Sequence, residues 1–230
     1  MLMRILSMLL LAALMATKVQ AGEITGKVTL QAQTTKTPPG RRNVDDVYTS
    51  AELEVARKGG NGGTGVTQEV ANVVVFLEGK GLPATPRGAT MDQQSKIFRP
   101  HVLPIVSGSK VEFPNGDPIF HHVYSTAPSF EFPRYRKGNP QSKTFSIQGG
   151  KVPTVIELFC GIHSQMNAFV VVLPNRCFDT ADETGTFSIP GVPPGTYTLK
   201  AWHPRTTPRL FTLGEITVGE GKLVKDIVLK

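Results

Sequence analysis

Most of the chain alternates between short runs of strand-forming residues and turns rich in glycine and proline. Residues 23–30, 110–113 and 143–147 alternate apolar and polar side chains, as in a strand with one buried face. Residues 72–77 and 168–173 are continuous apolar runs instead, which predicts strands buried on both faces. The 230 residues include 23 glycines and 18 prolines, a content that disfavours long helices. The sequence therefore predicts an all-β protein, built as a β-sandwich or barrel.

The first 21 residues have the layout of a secretory signal peptide. Arg4 precedes an apolar run over residues 5–16, and Val19-Gln20-Ala21 offers small residues for cleavage. The apolar run is short for a membrane span, which needs about 20 residues. We therefore expect a mature chain that begins near Gly22, is periplasmic and has no membrane span. Nucleic acid is not an expected partner of an exported chain that lacks a basic helix.

The remaining residues divide into two predicted domains and one insertion. Residues 22–173 are assigned to the first domain, within which the polar, glycine-rich residues 33–68 form a predicted surface insertion. Thr49, followed by Glu52, predicts one short helix in that insertion. Residues 174–230 repeat the pattern of strands and turns on a smaller scale, which predicts a compact antiparallel module.

The residues best suited to chemistry lie in a short segment between two predicted strands. Cys160, His163 and Met166 supply a thiolate, an imidazole and a thioether at the spacing Cys-x2-His-x2-Met. A short loop between strands can turn all three side chains toward one point. A soft thiolate with imidazole suits copper, and a thioether suits a weak axial contact. The segment therefore predicts a copper site.

A blue-copper site needs a second imidazole, and two adjacent histidines can supply it. His121 and His122 lie in a strand-like segment, where alternation places them on opposite faces. Ile119 and Val123 share the face of His121 and are plausible core residues, so His121 is the predicted ligand. His122 is then expected beside the ligands or at the surface, and it remains the alternative ligand.

Other chemistry is also compatible with some of these residues. A zinc site is one alternative, but structural zinc sites prefer more thiolates and Met is a poor zinc ligand. A catalytic cysteine paired with His163 is another, but a catalytic Cys normally takes its base from a distant part of the chain. A disulfide between Cys160 and Cys177 would suit an oxidising compartment and would abolish the copper site. Without that disulfide, Cys177 is expected to be a small hydrophobic residue. The chain contains no nucleotide-binding glycine motif, so we do not expect a nucleotide-dependent enzyme. It also contains no His-x-His cluster, so we do not expect a multicopper oxidase or a nitrite reductase.

These motifs resemble the cupredoxin family. The loop spacing is similar to that of amicyanin, and the wider pattern is similar to plastocyanin. Over most of residues 22–230, the arrangement resembles bacterial exported proteins labelled methylamine-utilisation proteins. Residues 179–202 contain Asp-x2-Gly-x-Phe and Pro-Pro-Gly-x-Tyr-x-Leu and are similar to carboxypeptidase regulatory-like domains. The motifs that carry the cupredoxin resemblance are Phe98-x-Pro100, Gly108-x2-Val111-x-Phe113-x-Asn115, the strand of His121 and the Cys160–Met166 loop.

The resemblance implies a Greek-key β-sandwich with one type 1 copper ion at one end. The implied ligands are His121, Cys160, His163 and Met166. A small β-sandwich of the transthyretin or carboxypeptidase-regulatory-like type would follow. The family usually has Asn directly after its first His, and His122 in that place implies different hydrogen bonding around the ligands.

The function implied is that of an electron carrier without enzymatic activity. Its partner would be a redox protein such as a cytochrome c or a dehydrogenase. Residues 134–137 form a basic segment that is expected to be a solvated loop and could dock an acidic partner. The alternative function is an envelope binding or interaction module in which copper is structural or sensory.

Overall fold

The computed structural model describes residues 21–30, 70–206 and 208–230. The expected signal peptide up to residue 20, the insertion and its short helix lie outside these residues. In the described part of the chain the secondary structure is strand apart from one short 3₁₀ turn, η1 (Val70–Asn72). Within the same part, no helix reaches the length and apolar character that a membrane crossing requires.

The strands follow one another along the chain with short turns between most of them. They are β1 (Gly22–Leu30), β2 (Val74–Glu78), β3 (Ala89–Thr90), β4 (Asp92–Gln94), β5 (Ile97–Arg99), β6 (Val102–Val106), β7 (Ser109–Phe113), β8 (Val123–Thr126), β9 (Ser129–Glu131), β10 (Gln141–Phe145), β11 (Thr154–Cys160), β12 (Asn167–Leu173), β13 (Phe178–Thr180), β14 (Thr186–Val192), β15 (Gly195–Trp202), β16 (Leu210–Val218), β17 (Lys222–Val224) and β18 (Ile227–Leu229). The all-β prediction is confirmed.

The first sandwich is built from the contiguous strands β3 to β12. One sheet has the order β6-β12-β11-β8-β9, the other has the order β10-β7-β3, and β4 pairs with β5 in a separate hairpin. The chain passes repeatedly from one sheet to the other, as expected for Greek-key connections. Strand β7 shows the predicted alternation, because Val111 and Phe113 are buried while Lys110 and Glu112 are exposed. The inward faces of the two sheets enclose the first apolar core.

The second sandwich faces the sheet β13-β2-β15-β16 against the sheet β14-β1-β17, with β18 also paired to β1. Its core is almost wholly aliphatic and aromatic. The fully enclosed members include Ile24, Val75, Phe187, Ile189 and Leu199. The alternation in β14 and β15 directs Phe187, Ile189 and Leu199 inward, as the sequence predicts for one-sided strands.

The strand pairing differs from the division predicted at residues 173 and 174. Strand β1 pairs antiparallel with β14 and parallel with β17 and β18, and β2 lies between β13 and β15. Both strands precede the first sandwich in sequence but are integral to the second one. The alternation of side chains shows that a strand has a buried face, but it does not show which distant strands cover that face.

The two sandwiches are joined through one shared apolar layer. In β2, Val75 faces the second core while Val74 and Phe76 face this layer. In β12, Val170 faces the first core while Val171 faces the layer. The continuous apolar runs are therefore buried on both faces, as predicted. The layer consists of Val74, Phe76, Val102, Phe169, Val171, Leu173 and Trp202.

Candidate metal centre

Cys160 and His163 lie at one end of the first sandwich, where β11 turns into β12. Burial alternates strictly along β11, and this alternation directs Cys160 into the core. The loop that follows is closed by two backbone hydrogen bonds. The N–H of Cys160 donates to the carbonyl of Met166 at 3.2 Å, and the N–H of Met166 donates to the carbonyl of His163 at 3.0 Å. The loop therefore keeps its three candidate ligands close together.

His121 reaches the same place from the segment just before β8, the strand that pairs with β11. Its N–H donates to the carbonyl of Tyr135 at 2.9 Å, and the N–H of Tyr135 donates back to the carbonyl of His121 at 3.0 Å. Two residues later, Val123 pairs with Cys160 across β8 and β11. This register places a fully buried imidazole beside the buried thiol.

The ligand atoms of three predicted residues converge. The Sγ atom of Cys160 lies 3.8 Å from Nδ1 of His121 and 3.6 Å from Nδ1 of His163. Ligand atoms from the three residues all lie within 4.8 Å of one another. The two imidazole rings are 4.9 Å apart at their centroids and are tilted by 59°. Two nitrogens and one sulfur thus face a common point.

These separations fit a shared metal ion. Metal–ligand bonds of about 2.0 Å to nitrogen and 2.3 Å to sulfur, roughly 110–120° apart, place two ligand atoms about 3.5–3.8 Å from each other. The measured sulfur–nitrogen distances match that range. One thiolate with two imidazoles is also the donor set that suits copper among the first-row metals. The residues present therefore fit copper.

Met166 lies at the base of the same loop and has no exposed surface. It packs in the first core together with Cys160. A buried thioether in the same core cluster as the thiol is compatible with the predicted axial contact. Its assignment as a ligand stays a prediction.

The cysteines are not linked to each other. Both Cys160 and Cys177 are free and buried, so the alternative disulfide is absent from this structure. Cys177 lies in the second core, and burial raises the pKa of its thiol to about 11. The position of Cys177 agrees with the expected small hydrophobic residue.

His122 points away from the convergence point. Its Nε2 atom lies 2.6 Å from Oε1 of Glu131, and its ring covers Gly161, where an added Cβ would be 2.4 Å from Nδ1 of His122. The carbonyl of His122 accepts a hydrogen bond from the N–H of Gly161 at 2.9 Å. This bond ties the two ligand-bearing segments through the backbone, so it does not require a particular side chain at position 122.

Asp117 is a buried carboxylate that the sequence motifs did not indicate. Its Oδ2 atom lies 2.9 Å from Nε2 of His121, on the side of the ring opposite Cys160. Burial acts to raise the pKa of Asp117, but hydrogen bonds from the N–H groups of Lys96 and Ser95 and the contact with His121 outweigh it and hold the pKa below the usual value. The carboxylate is therefore ionised and can only accept hydrogen bonds. The sequence feature that could have indicated this contact is the position of Asp117, four residues before His121 in a turn.

His163 lies at the edge of the site and is partly exposed. Burial first, and then the nearby His121 and Lys96, lower the pKa of its imidazole, while Asp117 acts in the opposite direction. A lowered pKa favours the neutral imidazole, which is the form that binds a metal.

Exposed apolar side chains flank the candidate ligands along the chain. Ile119, Phe120 and Ile162 are three of the five exposed large hydrophobic residues in the described part of the chain, and each lies next to or near a candidate ligand in sequence. The guanidinium of Arg136 lies 5.0 Å from the centroid of the Phe120 ring. We call Ile119, Phe120, Ile162 and Arg136 the rim of the site.

Several solved structures are similar to part of this chain. A copper-containing nitrite reductase (NirK) from Thermus scotoductus SA-01 is 24% identical, with a TM-score of 0.33, over 37% of this chain and 22% of that one. A reduced mutant of amicyanin is 18% identical, with a TM-score of 0.34, over 43% of this chain and 97% of that one. A purple cupredoxin from Nitrosopumilus maritimus is 20% identical, with a TM-score of 0.31, over 36% of this chain and 98% of that one. The present chain thus spans only about a fifth of the nitrite reductase.

The second sandwich has a similarity of its own. A family model described as polysaccharide lyase family 4, domain II, matches residues 179–225. No curated protein matches the chain. The family model differs from the carboxypeptidase regulatory-like domain expected from residues 179–202, so that resemblance and the methylamine-utilisation label stay predictions.

Proposed function

We propose that the protein is a periplasmic type 1 copper protein that carries single electrons between redox partners. The observation that carries this proposal is the convergence of the Cys160 thiol with Nδ1 of His121 and Nδ1 of His163 at a buried point. Met166 is proposed as the axial ligand because its thioether is buried on the same loop. Copper bound there would supply a one-electron couple.

The side chains have distinct tasks in this proposal. Cys160 supplies the anionic ligand, and its burial excludes water from the sulfur. His121 is fully enclosed and holds its position through the backbone bridge to Tyr135. His163 is the candidate ligand that is partly exposed, so its edge is the proposed route for electrons. Four protein ligands leave no open position for a substrate, which favours electron transfer over catalysis at the metal.

The proposed partner docks on the rim. The rim offers an apolar contact around His163, and the exposed Arg134, Arg136 and Lys137 add positive charge beside it. An apolar centre with charged surroundings suits brief association with a redox protein of opposite charge. We therefore propose a cytochrome c or a dehydrogenase with an acidic surface as the partner.

Copper titration with visible and electron paramagnetic resonance spectra tests the site. The wild-type protein and the Cys177→Ser variant should develop an intense thiolate-to-copper absorption at one equivalent of copper. The Cys160→Ser variant should show no such band, because serine cannot supply a thiolate. A colourless wild-type adduct, or equal colour in Cys160→Ser, would contradict the proposal.

Electron exchange with a soluble cytochrome c separates the two functions. An electron carrier should be reduced and reoxidised rapidly and reversibly, and a charge-reversing Arg136→Glu substitution should slow the exchange with an acidic partner. Copper binding without such exchange would instead favour the structural or sensory role.

A further inference from the structure

The carboxylate of Asp117 joins a candidate metal ligand to a neighbouring hairpin. Oδ1 accepts a hydrogen bond from the N–H of Ser95 at 2.7 Å, and Oδ2 accepts one from the N–H of Lys96 at 2.9 Å. Oδ2 also lies 2.9 Å from Nε2 of His121. Asp117 is largely buried and His121 is fully buried, so these contacts are shielded from water. Two backbone N–H groups and one imidazole nitrogen therefore converge on one carboxylate.

The hairpin turn is shaped around this carboxylate. Ser95 and Lys96 have φ angles of 55° and 60°, in the left-handed region that is unfavourable for residues other than glycine. That conformation directs two successive N–H groups at Asp117. Gly116 also donates its N–H to the carbonyl of Gln93 at 2.8 Å. The turn residues and the Asp117 segment thus fix each other.

A buried asparagine holds the other side of the Asp117 segment. Oδ1 of Asn115 accepts the N–H of Asp117 at 2.8 Å. Its Nδ2 group donates to the carbonyl of Ile119 at 2.9 Å and to that of Tyr135 at 3.2 Å. These bonds close the turn between β7 and His121, so the carboxylate has little freedom to leave the imidazole.

We propose that Asp117 is a positioning residue that fixes the orientation and tautomer of His121. Both oxygens of Asp117 already accept backbone N–H groups, so Oδ2 faces Nε2 of His121 as an acceptor, which places the ring proton on Nε2 and leaves the lone pair of Nδ1 directed toward Cys160. With copper held by His121, the negative charge of Asp117 would favour Cu(II) over Cu(I) and would lower the reduction potential. This inference rests on the proposed copper function and specifies how that site is tuned.

The test is an Asp117→Asn substitution with Asp182→Asn as the matched control. An amide has one acceptor oxygen and one donor group, so one of the three N–H groups would face another donor. Asp182 accepts bonds from the N–H groups of Thr184 and Thr186 at 2.8 and 2.9 Å, in a turn of the second sandwich. All of these bonds use Oδ1, which an Asn oxygen can replace, so the control removes the charge of a turn carboxylate far from the ligands while it keeps the turn bonds.

The expected readouts are the reduction potential and the Cu(II) spectrum. Asp117→Asn should weaken Cu(II) binding relative to Cu(I) by about tenfold, which corresponds to a rise of about 59 mV for a one-electron couple. Its copper hyperfine splitting and visible band ratio should also change, whereas Asp182→Asn should match the wild type. An Asp117→Asn potential and spectrum equal to those of the wild type would overturn the inference while the proposed function stands.

A measurement on the wild-type protein keeps the test independent of the variant's folding. Long-range proton–nitrogen NMR correlations of the metal-free protein at pH 8 should show the His121 proton on Nε2, with slow exchange against water. A proton on Nδ1 would overturn the inference. Absence of thiolate-to-copper absorption in the wild type would instead reject the proposed function, and the tautomer would still report on the Asp117 contact.

Discussion

The two sandwiches are built on the same plan but differ in the polar residues that they bury. The second core is almost entirely apolar, and the buried polar residues of the second sandwich are Asn175 and His203. Asn175 donates to the carbonyl of Leu77 and accepts the N–H of Cys177. The first sandwich buries many more polar residues. They are Gln93, Ser109, Asn115, Asp117, His121, Ser125 and Thr154.

Buried polar groups lower stability unless they are hydrogen-bonded, so their distribution is informative. In the first sandwich, Asn115 and Asp117 bond to the segments that position His121. The second sandwich has no equivalent cluster among the described residues and instead covers the outer face of the first. The comparison assigns the chemistry to the first sandwich and a supporting role to the second.

Removal of residues 174–230 should have the largest effect. This truncation takes away the strands that pair with β1 and both partners of β2, and it exposes the shared apolar layer. Unpaired apolar strands promote aggregation, so we expect the 22–173 fragment to be insoluble or to lack a cooperative thermal transition. Size-exclusion chromatography and near-ultraviolet circular dichroism measure this.

A shorter fragment serves as the control for the truncation. Residues 85–173 omit β1 and β2, which are the strands whose partners lie in residues 174–230. This fragment should be more soluble than the 22–173 fragment. A monomeric 22–173 fragment with native-like circular dichroism would show that the first sandwich does not depend on the second.

One Phe→Ala substitution in each core should lower the free energy of unfolding equally but should affect the copper absorption differently. Phe113 and Phe187 are both fully buried, in the first and second core respectively. Each Phe→Ala substitution should lower the free energy of unfolding by about 3–5 kcal/mol. Only Phe113→Ala should change the copper absorption, because only the first core contains Cys160.

Urea unfolding followed at the single tryptophan measures the stability of both variants. Trp202 lies in the shared layer and reports on both sandwiches at once. Its fluorescence transition should coincide with the loss of the copper band, since the layer joins the two cores. A separate earlier transition, or an equal spectral change in Phe187→Ala, would break the comparison.

The smallest expected effect is a pH dependence of stability that arises from a residue of the first sandwich. Tyr135 is almost fully buried, and burial raises the pKa of its phenol above the usual 10.0. The folded protein then keeps this proton above pH 10, where the unfolded chain releases it. The contribution of Tyr135 to stability is complete below pH 10 and is lost as the pH rises beyond that value.

A Tyr135→Phe substitution tests this dependence. It removes the hydrogen bond between the Tyr135 hydroxyl and Nε2 of Gln93, so we expect a loss of about 1 kcal/mol at neutral pH. Tyr197→Phe removes the bond to the carbonyl of Pro193 in the second sandwich and is the control at neutral pH. Urea unfolding at several pH values should show a weaker decline above pH 10 for Tyr135→Phe than for the wild type. An unchanged decline would contradict the assignment.

Local patterns predicted much of the fold and part of the site. The alternation in residues 110–113 and the double-sided burial of residues 168–173 appear in the structure as expected. The loop spacing predicted that Cys160 and His163 would lie together. Alternation selected His121 over His122, but of the two residues expected in the core on the face of His121, Val123 is buried and Ile119 is exposed. These features depend on neighbours in sequence, for which the period of a strand is sufficient information.

Contacts between distant segments were less accessible to sequence reasoning. Tyr135, expected in a solvated basic loop, is buried against the backbone of His121. The part played by Asp117 depends on the turn at Ser95 and Lys96, about twenty residues away. A lone Asp in a turn has no pattern of its own, and only the folded arrangement shows which donors surround it.

The sequence by itself determined the strands, their buried faces and the candidates for soft metal ligands, because each follows from residue chemistry and short-range periodicity. Only the tertiary structure decided that β1 and β2 belong to the second sandwich and that the buried carboxylate of Asp117 contacts His121. Strand pairing and burial of charge depend on which distant surfaces meet, and many pairings satisfy the same local pattern. Packing in the two cores and in the shared apolar layer selects one of these pairings.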